Sequence, residues 1–113
     1  EYYASRGLEV LNVSGLGLDD DYRMTAITPE DIVAAGMRAM AADADALFIS
    51  CTALRASLAV DALERALGRP VVTSNQAIAW HTLELIGHPG HPVHPGQSGH
   101  CGPGRLFGLG GVA

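Results

Sequence analysis

The sequence contains no lysine: its seven basic residues are all arginines, scattered from Arg6 to Arg105 against twelve carboxylates, for a formal net charge of −5. Without a basic stripe, nucleic acid and anionic membrane surfaces are poor partners for this chain. No apolar run approaches the roughly 18 residues needed to span a bilayer. The sequence holds two cysteines, Cys51 inside an apolar pattern and Cys101 in a Gly/Pro-rich tail, which is too few for a disulfide framework. A reducing cytoplasm is the expected setting. There is also no initiator Met and no signal-peptide order of basic, apolar and small residues at the start. Glu1-Tyr2-Tyr3-Ala4-Ser5-Arg6-Gly7 reads instead as the last turn of a helix whose start is missing, with Gly7 suited to the left-handed residue that ends it.

With 113 residues, the chain fits one domain, which can bury roughly two-thirds of its unfolded surface. A hydrophobic fraction of 48% with 17% charged residues is ordinary globular usage. Leu8-Glu9-Val10-Leu11-Asn12-Val13 alternates, is rich in branched residues, and predicts a first strand ending at Ser14-Gly15-Leu16-Gly17. Residues 14 to 27 read as a polar connection. Thr28-Pro29-Glu30-Asp31 is a helix start with Thr as N-cap, Pro at the first helical position and carboxylates in the first turn. The helix it opens carries Ile32, Val33, Gly36, Met37 and Met40 at helical spacing to about Ala42, with the methionines as core filler.

Ala46-Leu47-Phe48-Ile49-Ser50 is a short continuous apolar run of the kind buried in a parallel sheet. After Cys51 and Thr52 a helical pattern runs through Leu54, Leu58, Leu63 and Leu67 to Gly68. Pro70-Val71-Val72-Thr73-Ser74 predicts a further strand, and Asn75-Gln76 leads into a last helix closed by Gly87. The alternation implies an α/β fold of three layers, a parallel sheet with flanking helices over residues 1–87. Residues 88–113 hold four of the five histidines and four of the six prolines with no periodicity, and read as a poorly ordered tail.

In parallel sheets ligands gather at the carboxyl ends of the strands, here the loops 14 to 18, 50 to 55 and 73 to 76. Cys51 lies where a strand gives way to a predicted helix, so backbone N–H groups and the helix dipole favour thiolate there. Such a thiol can work as general acid or base; an inert buried cysteine fits the same position. Thr52, Ser74, Asn75 and Gln76 bring short polar groups that could hold a carboxylate without lysine, while Ser74 or Asn75 could equally be a helix cap. Arg55 could pair with a carboxylate or stay solvated. His81 reads as structural. The tail's His88-Pro89-Gly90-His91 and His100-Cys101 lack the rigid spacing of a metal site. Gly15-Leu16-Gly17 is only a fragment of a dinucleotide fingerprint, and Asp19-Asp20-Asp21 beside it would repel a pyrophosphate. Neither a metal nor a cofactor is expected.

Two stretches about twenty residues apart are more specific together than either alone. Ala46-Leu47-Phe48-Ile49-Ser50-Cys51-Thr52-Ala53-Leu54-Arg55 and Leu67-Gly68-Arg69-Pro70-Val71-Val72-Thr73-Ser74-Asn75-Gln76-Ala77, with Trp80, resemble the aspartate/glutamate racemase superfamily. Within it the resemblance is to the branch of maleate cis-trans isomerase, arylmalonate decarboxylase and the ectoine-utilization protein EutA. It runs from about residue 1 to residue 87, and Gly104-Arg105-Leu106-Phe107 is similar to the family's closing Gly-Arg-Leu-Leu. The resemblance implies a cofactor-independent isomerase or lyase of two similar α/β halves, working on a small carboxylate in the cleft between them. It implies Cys51 as the catalytic thiol of the C-terminal half, with the Thr52 backbone N–H at the substrate carboxylate. The N-terminal half is expected as a missing partner, with a homo-oligomer also possible. The class alternative is a non-catalytic fragment that binds small acids or assembles with another chain.

Overall fold

The computed structural model describes residues 1–87 and Leu106. The tail expected over 88–113, with its histidines and Cys101, otherwise lies outside the described residues. Helix α1 (Tyr2–Ser5) ends as the sequence suggests. Leu8 N–H donates to the Tyr3 carbonyl and Gly7 N–H to that of Ala4, both at 3.0 Å, and Gly7 takes φ 77°. This paired closure needs a left-handed residue, which glycine adopts without a steric cost.

The strand expected at Leu8–Val13 is absent: the segment joins no ladder, and its apolar side chains face solvent, Val13 being 84% exposed. Alternation alone does not make a strand, because each backbone donor and acceptor still needs a neighbouring strand. Asn12 Nδ2–H donates to the Ala39 carbonyl at 2.8 Å, which ties the segment to the last turn of the helix Pro29–Ala39. The polar connection that follows contains a short helix, α2 (Asp21–Thr25), capped by the Asp20 carboxylate, which accepts from Tyr22 N–H.

Helix α3 (Pro29–Ala39) begins where Thr28 and Pro29 predict. Thr28 Oγ1 accepts from Asp31 N–H and the Asp31 carboxylate accepts from Thr28 N–H, a reciprocal cap. Strand β1 (Leu47–Ile49) pairs in parallel with β2 (Val71–Thr73), Leu47 opposite Val71 and Ile49 opposite Thr73. Between them run a 3-10 turn (Ala56–Ala59) and helix α4 (Val60–Leu67). α4 stops at Gly68, whose φ is 66°. Helix α5 (Ser74–Leu85) follows β2 directly. The result is the expected α/β class, parallel strands with flanking helices, with two strands in the sheet among the described residues. None of the described helices is long and apolar enough to cross a membrane.

The core is Ile32, Leu54, Ala56, Ala59, Val60, Leu63 and Val71. Glu64, on the same helix as Leu63, is buried and its Oε1 accepts from Val71 N–H at 3.0 Å, so the crossover helix fixes the start of β2. On the other side α3 reaches this core through Gly36. A β-carbon there would lie 2.8 Å from one Leu63 methyl and 3.1 Å from a Leu47 methyl. Gly36→Ala is expected to destabilise. Overpacking costs about 2 kcal/mol, and the gain in helix propensity returns only about 1 kcal/mol. A lower urea midpoint at unchanged slope checks this; an unchanged or higher midpoint sinks it.

Candidate active site

β1 and β2 run the same way and in register, so their carboxyl ends open at one edge of the sheet. Ser50 and Cys51 leave β1 there, and Ser74 and Asn75 leave β2 as the first residues of α5. A hydrogen bond joins the two exits: Asn75 Nδ2–H donates to the Thr52 carbonyl at 3.1 Å. Two of the three predicted loops are thus brought together by the sheet. The third, 14 to 18, follows the unpaired segment, and all of its residues but Leu18 are exposed.

Cys51 is half-buried, packed against the core cluster, and a free thiol. It does not sit at a helix start, contrary to expectation. Residues 52–54 make a turn, the 3-10 turn opens only at Ala56, and α4 only at Val60. No side chain caps either element at its N-terminus, so the chain enters through tighter i to i+3 bonds such as Leu58 N–H to the Arg55 carbonyl. The helix that follows Cys51 therefore starts too far along the chain for its dipole to act on the thiol.

The thiol's partner is instead a residue that sequence reasoning passed over. Cys51 Sγ–H donates to Met24 Sδ at 3.4 Å. Met24 is half-buried, lies on α2, and packs on the same core cluster. The available signal was Asp20: an Asp before a mixed stretch is a helix N-cap, and α2 carries Met24 inward. In Asp19-Asp20-Asp21 the charge is evident from composition, whereas the cap that Asp20 makes depends on the turn that follows it.

Thr73, and neither Ser74 nor Asn75, caps α5. Its Oγ1 accepts from Gln76 N–H at 3.2 Å, while Gln76 Oε1 accepts from Thr73 N–H at 3.0 Å. Gln76 is 3% exposed, so this carboxamide braces the strand-to-helix turn from within. Thr52 and Asn75 are exposed and Ser74 half-buried. The first-turn backbone N–H groups of α5 belong to the same edge. Arg55 is exposed, at the head of the 3-10 turn. His81 is exposed on α5, with Nδ1 3.8 Å from Glu84. No group of three or more His, Cys, Asp or Glu that could hold a metal ion occurs among the described residues.

This edge is chemically a half-buried thiol beside backbone donors and short amide and hydroxyl groups, with no lysine near it or anywhere in the sequence. Comparison with known proteins shows which family shares this sequence and fold. The family model of arylmalonate decarboxylase matches residues 1–98. The chain belongs to the arylmalonate decarboxylase family. That family lies in the Asp/Glu racemase superfamily, as the paired motifs around Cys51 and Asn75 imply. Solved structures agree. A glycine-to-cysteine variant of arylmalonate decarboxylase in its sulfate-associated form matches with a TM-score of 0.76 and 31% identity, over 92% of this chain and 42% of that one. A double variant, which also exchanges a cysteine for serine, in a liganded form gives 0.78 and 31%, over 93% and 43%. Unliganded arylmalonate decarboxylase gives 0.64 and 33%, over 81% and 38%. The chain thus spans about two-fifths of the arylmalonate decarboxylases it matches. A comparison with curated protein sequences finds no match.

Proposed function

We propose that the chain supplies one half of a cofactor-independent active site that decarboxylates a small activated carboxylate of the arylmalonate type, with Cys51 as the proton donor. The observation that carries this reading is the edge itself: Cys51 leaves β1 beside the start of α5, and the Asn75 to Thr52 hydrogen bond holds the two exits together. Membership of the arylmalonate decarboxylase family supports it.

The chemistry needs two things from the protein. Breaking the bond to the departing carboxylate releases carbon dioxide and leaves its electron pair on the α-carbon, delocalised into the remaining carboxylate as an enediolate. Polar hydrogens must face that developing charge, and a proton must then reach the carbon. In this reading Thr52, Ser74 and Asn75 offer the polar groups, and Gln76 keeps their turn in shape. The Cys51 S–H bond breaks as the new C–H bond forms, and water restores the proton to the sulfur. No cofactor takes part. The reading goes with a reducing cytoplasm, where the thiol stays unpaired.

The second half of the cleft comes, in this reading, from another α/β lobe, since the matched enzymes are more than twice as long as the region shared with this chain. An arylmalonate turned over in heavy water by the chain combined with that lobe is expected to release carbon dioxide and to give a monoacid with one deuterium on the α-carbon. No release from the combined lobes would sink the proposal. Isomerisation of a maleate-like or ectoine-derived acid, which the sequence resemblance also carries, would use the same thiol and release no carbon dioxide.

A further inference from the structure

We infer that Met24 is the positioning residue for the Cys51 thiol, its thioether fixing the direction in which the S–H proton is held. This rests on the reading of Cys51 as proton donor. A cysteine side chain has three staggered positions, and a thiol hydrogen rotates freely unless something accepts it. Here Met24 Sδ lies 3.4 Å from Cys51 Sγ, with the thiol donating. Methionine accepts a hydrogen bond and fills an irregular gap, and both sulfurs pack on the same apolar cluster.

Met24 is itself held from both ends. Asp20 caps α2 through Tyr22 N–H at 2.9 Å, and Met24 N–H donates to the Asp20 carbonyl at 3.1 Å. On the other side Ile27 N–H donates to the Met24 carbonyl at 3.2 Å, and the reciprocal cap of Thr28 and Asp31 follows at once. A five-residue helix thus lies between two caps, and the sulfur it presents meets the one thiol among the described residues. The bond exists only while Cys51 carries its proton. Met24 therefore selects the proton-loaded thiol and loses its hold once the proton has gone to carbon.

Met24→Leu is the test, because leucine keeps the apolar volume and removes the acceptor. In a Cys101→Ser background Cys51 is the only thiol, and its S–H stretching band can be read by Raman spectroscopy. The band is expected to sharpen at low frequency with Met24 present and to move to the higher frequency of an unbonded thiol in Met24→Leu. Turnover of the combined lobes is expected to fall about tenfold with KM held, as misplaced catalytic groups do. Asp20→Ala, which loosens α2 without touching either sulfur, should broaden the same band. A band that stays in place in Met24→Leu overturns the inference whatever the activity does; a band that moves while kcat stays unchanged overturns the positioning role. If the band moves as expected but Cys51→Ser leaves turnover intact, the sulfur contact stands and the proton-donor reading falls.

Discussion

Cys51→Ser in the combined lobes is expected to cut kcat by about a hundredfold to ten-thousandfold, the range that a positioned proton donor contributes. Serine is nearly isosteric, but an alcohol is a far weaker acid than a thiol, so its proton is not available at neutral pH to a carbon centre. The side chain is half-buried and packs on the core rim, so the exchange is expected to lower stability by about 1 kcal/mol. Each tenfold loss of rate is about 1.4 kcal/mol of barrier, so the activity loss exceeds what partial unfolding explains. The measurement is kcat and KM beside a urea titration of the same sample. A nearly intact urea midpoint with collapsed kcat is the predicted pattern. Wild-type turnover in the serine variant would remove Cys51 from the chemistry and leave the inert-cysteine reading.

The parts of this fold that could be read from the chain are those whose signals are local. Thr28-Pro29 and its following carboxylates start α3 because the cap, the fixed proline φ and the helix dipole all act within one turn. Gly7 and Gly68 end helices because φ near +70° is a property of one residue. Phe48 and Val72 form the central pair of a parallel ladder that the apolar runs announce. What failed depended on distant partners. Leu8–Val13 has strand composition and lacks a ladder, since period and propensity cannot supply the neighbouring backbone. The pattern Leu54, Leu58, Leu63, Leu67 has helical spacing, yet Leu58 is 65% exposed on the 3-10 turn and the α-helix begins only at Val60.

The candidate site divides the same way. Cys51, Thr52, Ser74 and Asn75 share one edge because strand ends in a parallel sheet converge by topology. Met24 is not legible beside them, because it is 27 residues from Cys51 in sequence and arrives by way of a helix too short to show periodicity. Gln76 was legible as polar and near the site, but its place inside the Thr73 cap follows from a reciprocal pattern three residues apart. That pattern also reads as a capping box in sequence, Thr73-Ser74-Asn75-Gln76, once the helix start is put one residue earlier.

Leu63→Ala is expected to cost about 2–5 kcal/mol, a large share of the 5–15 kcal/mol that holds a domain of this kind together. Leu63 is fully buried at 0% exposure, at the point where α4 meets both β2's support and the bare backbone of α3. The cavity it leaves has a specific shape, since both of its methyls lie within 3.3 Å of where a β-carbon on Gly36 would be. Removing them changes the sign of the Gly36→Ala effect. In the wild-type core that methyl overlaps Leu63; in the Leu63→Ala core its remaining tight neighbour is the 3.1 Å Leu47 methyl, the far end of a side chain that can turn into the vacated space. The added group then contributes about 0.8 kcal/mol of apolar burial and about 1 kcal/mol of helix propensity. The double variant is accordingly expected to be more stable than Leu63→Ala alone, with a coupling of about 1–3 kcal/mol read from a four-variant urea cycle. Additivity within about 0.5 kcal/mol would mean that α3 and α4 do not meet through this pair, and the packing of the crossover against α3 would have to be redrawn.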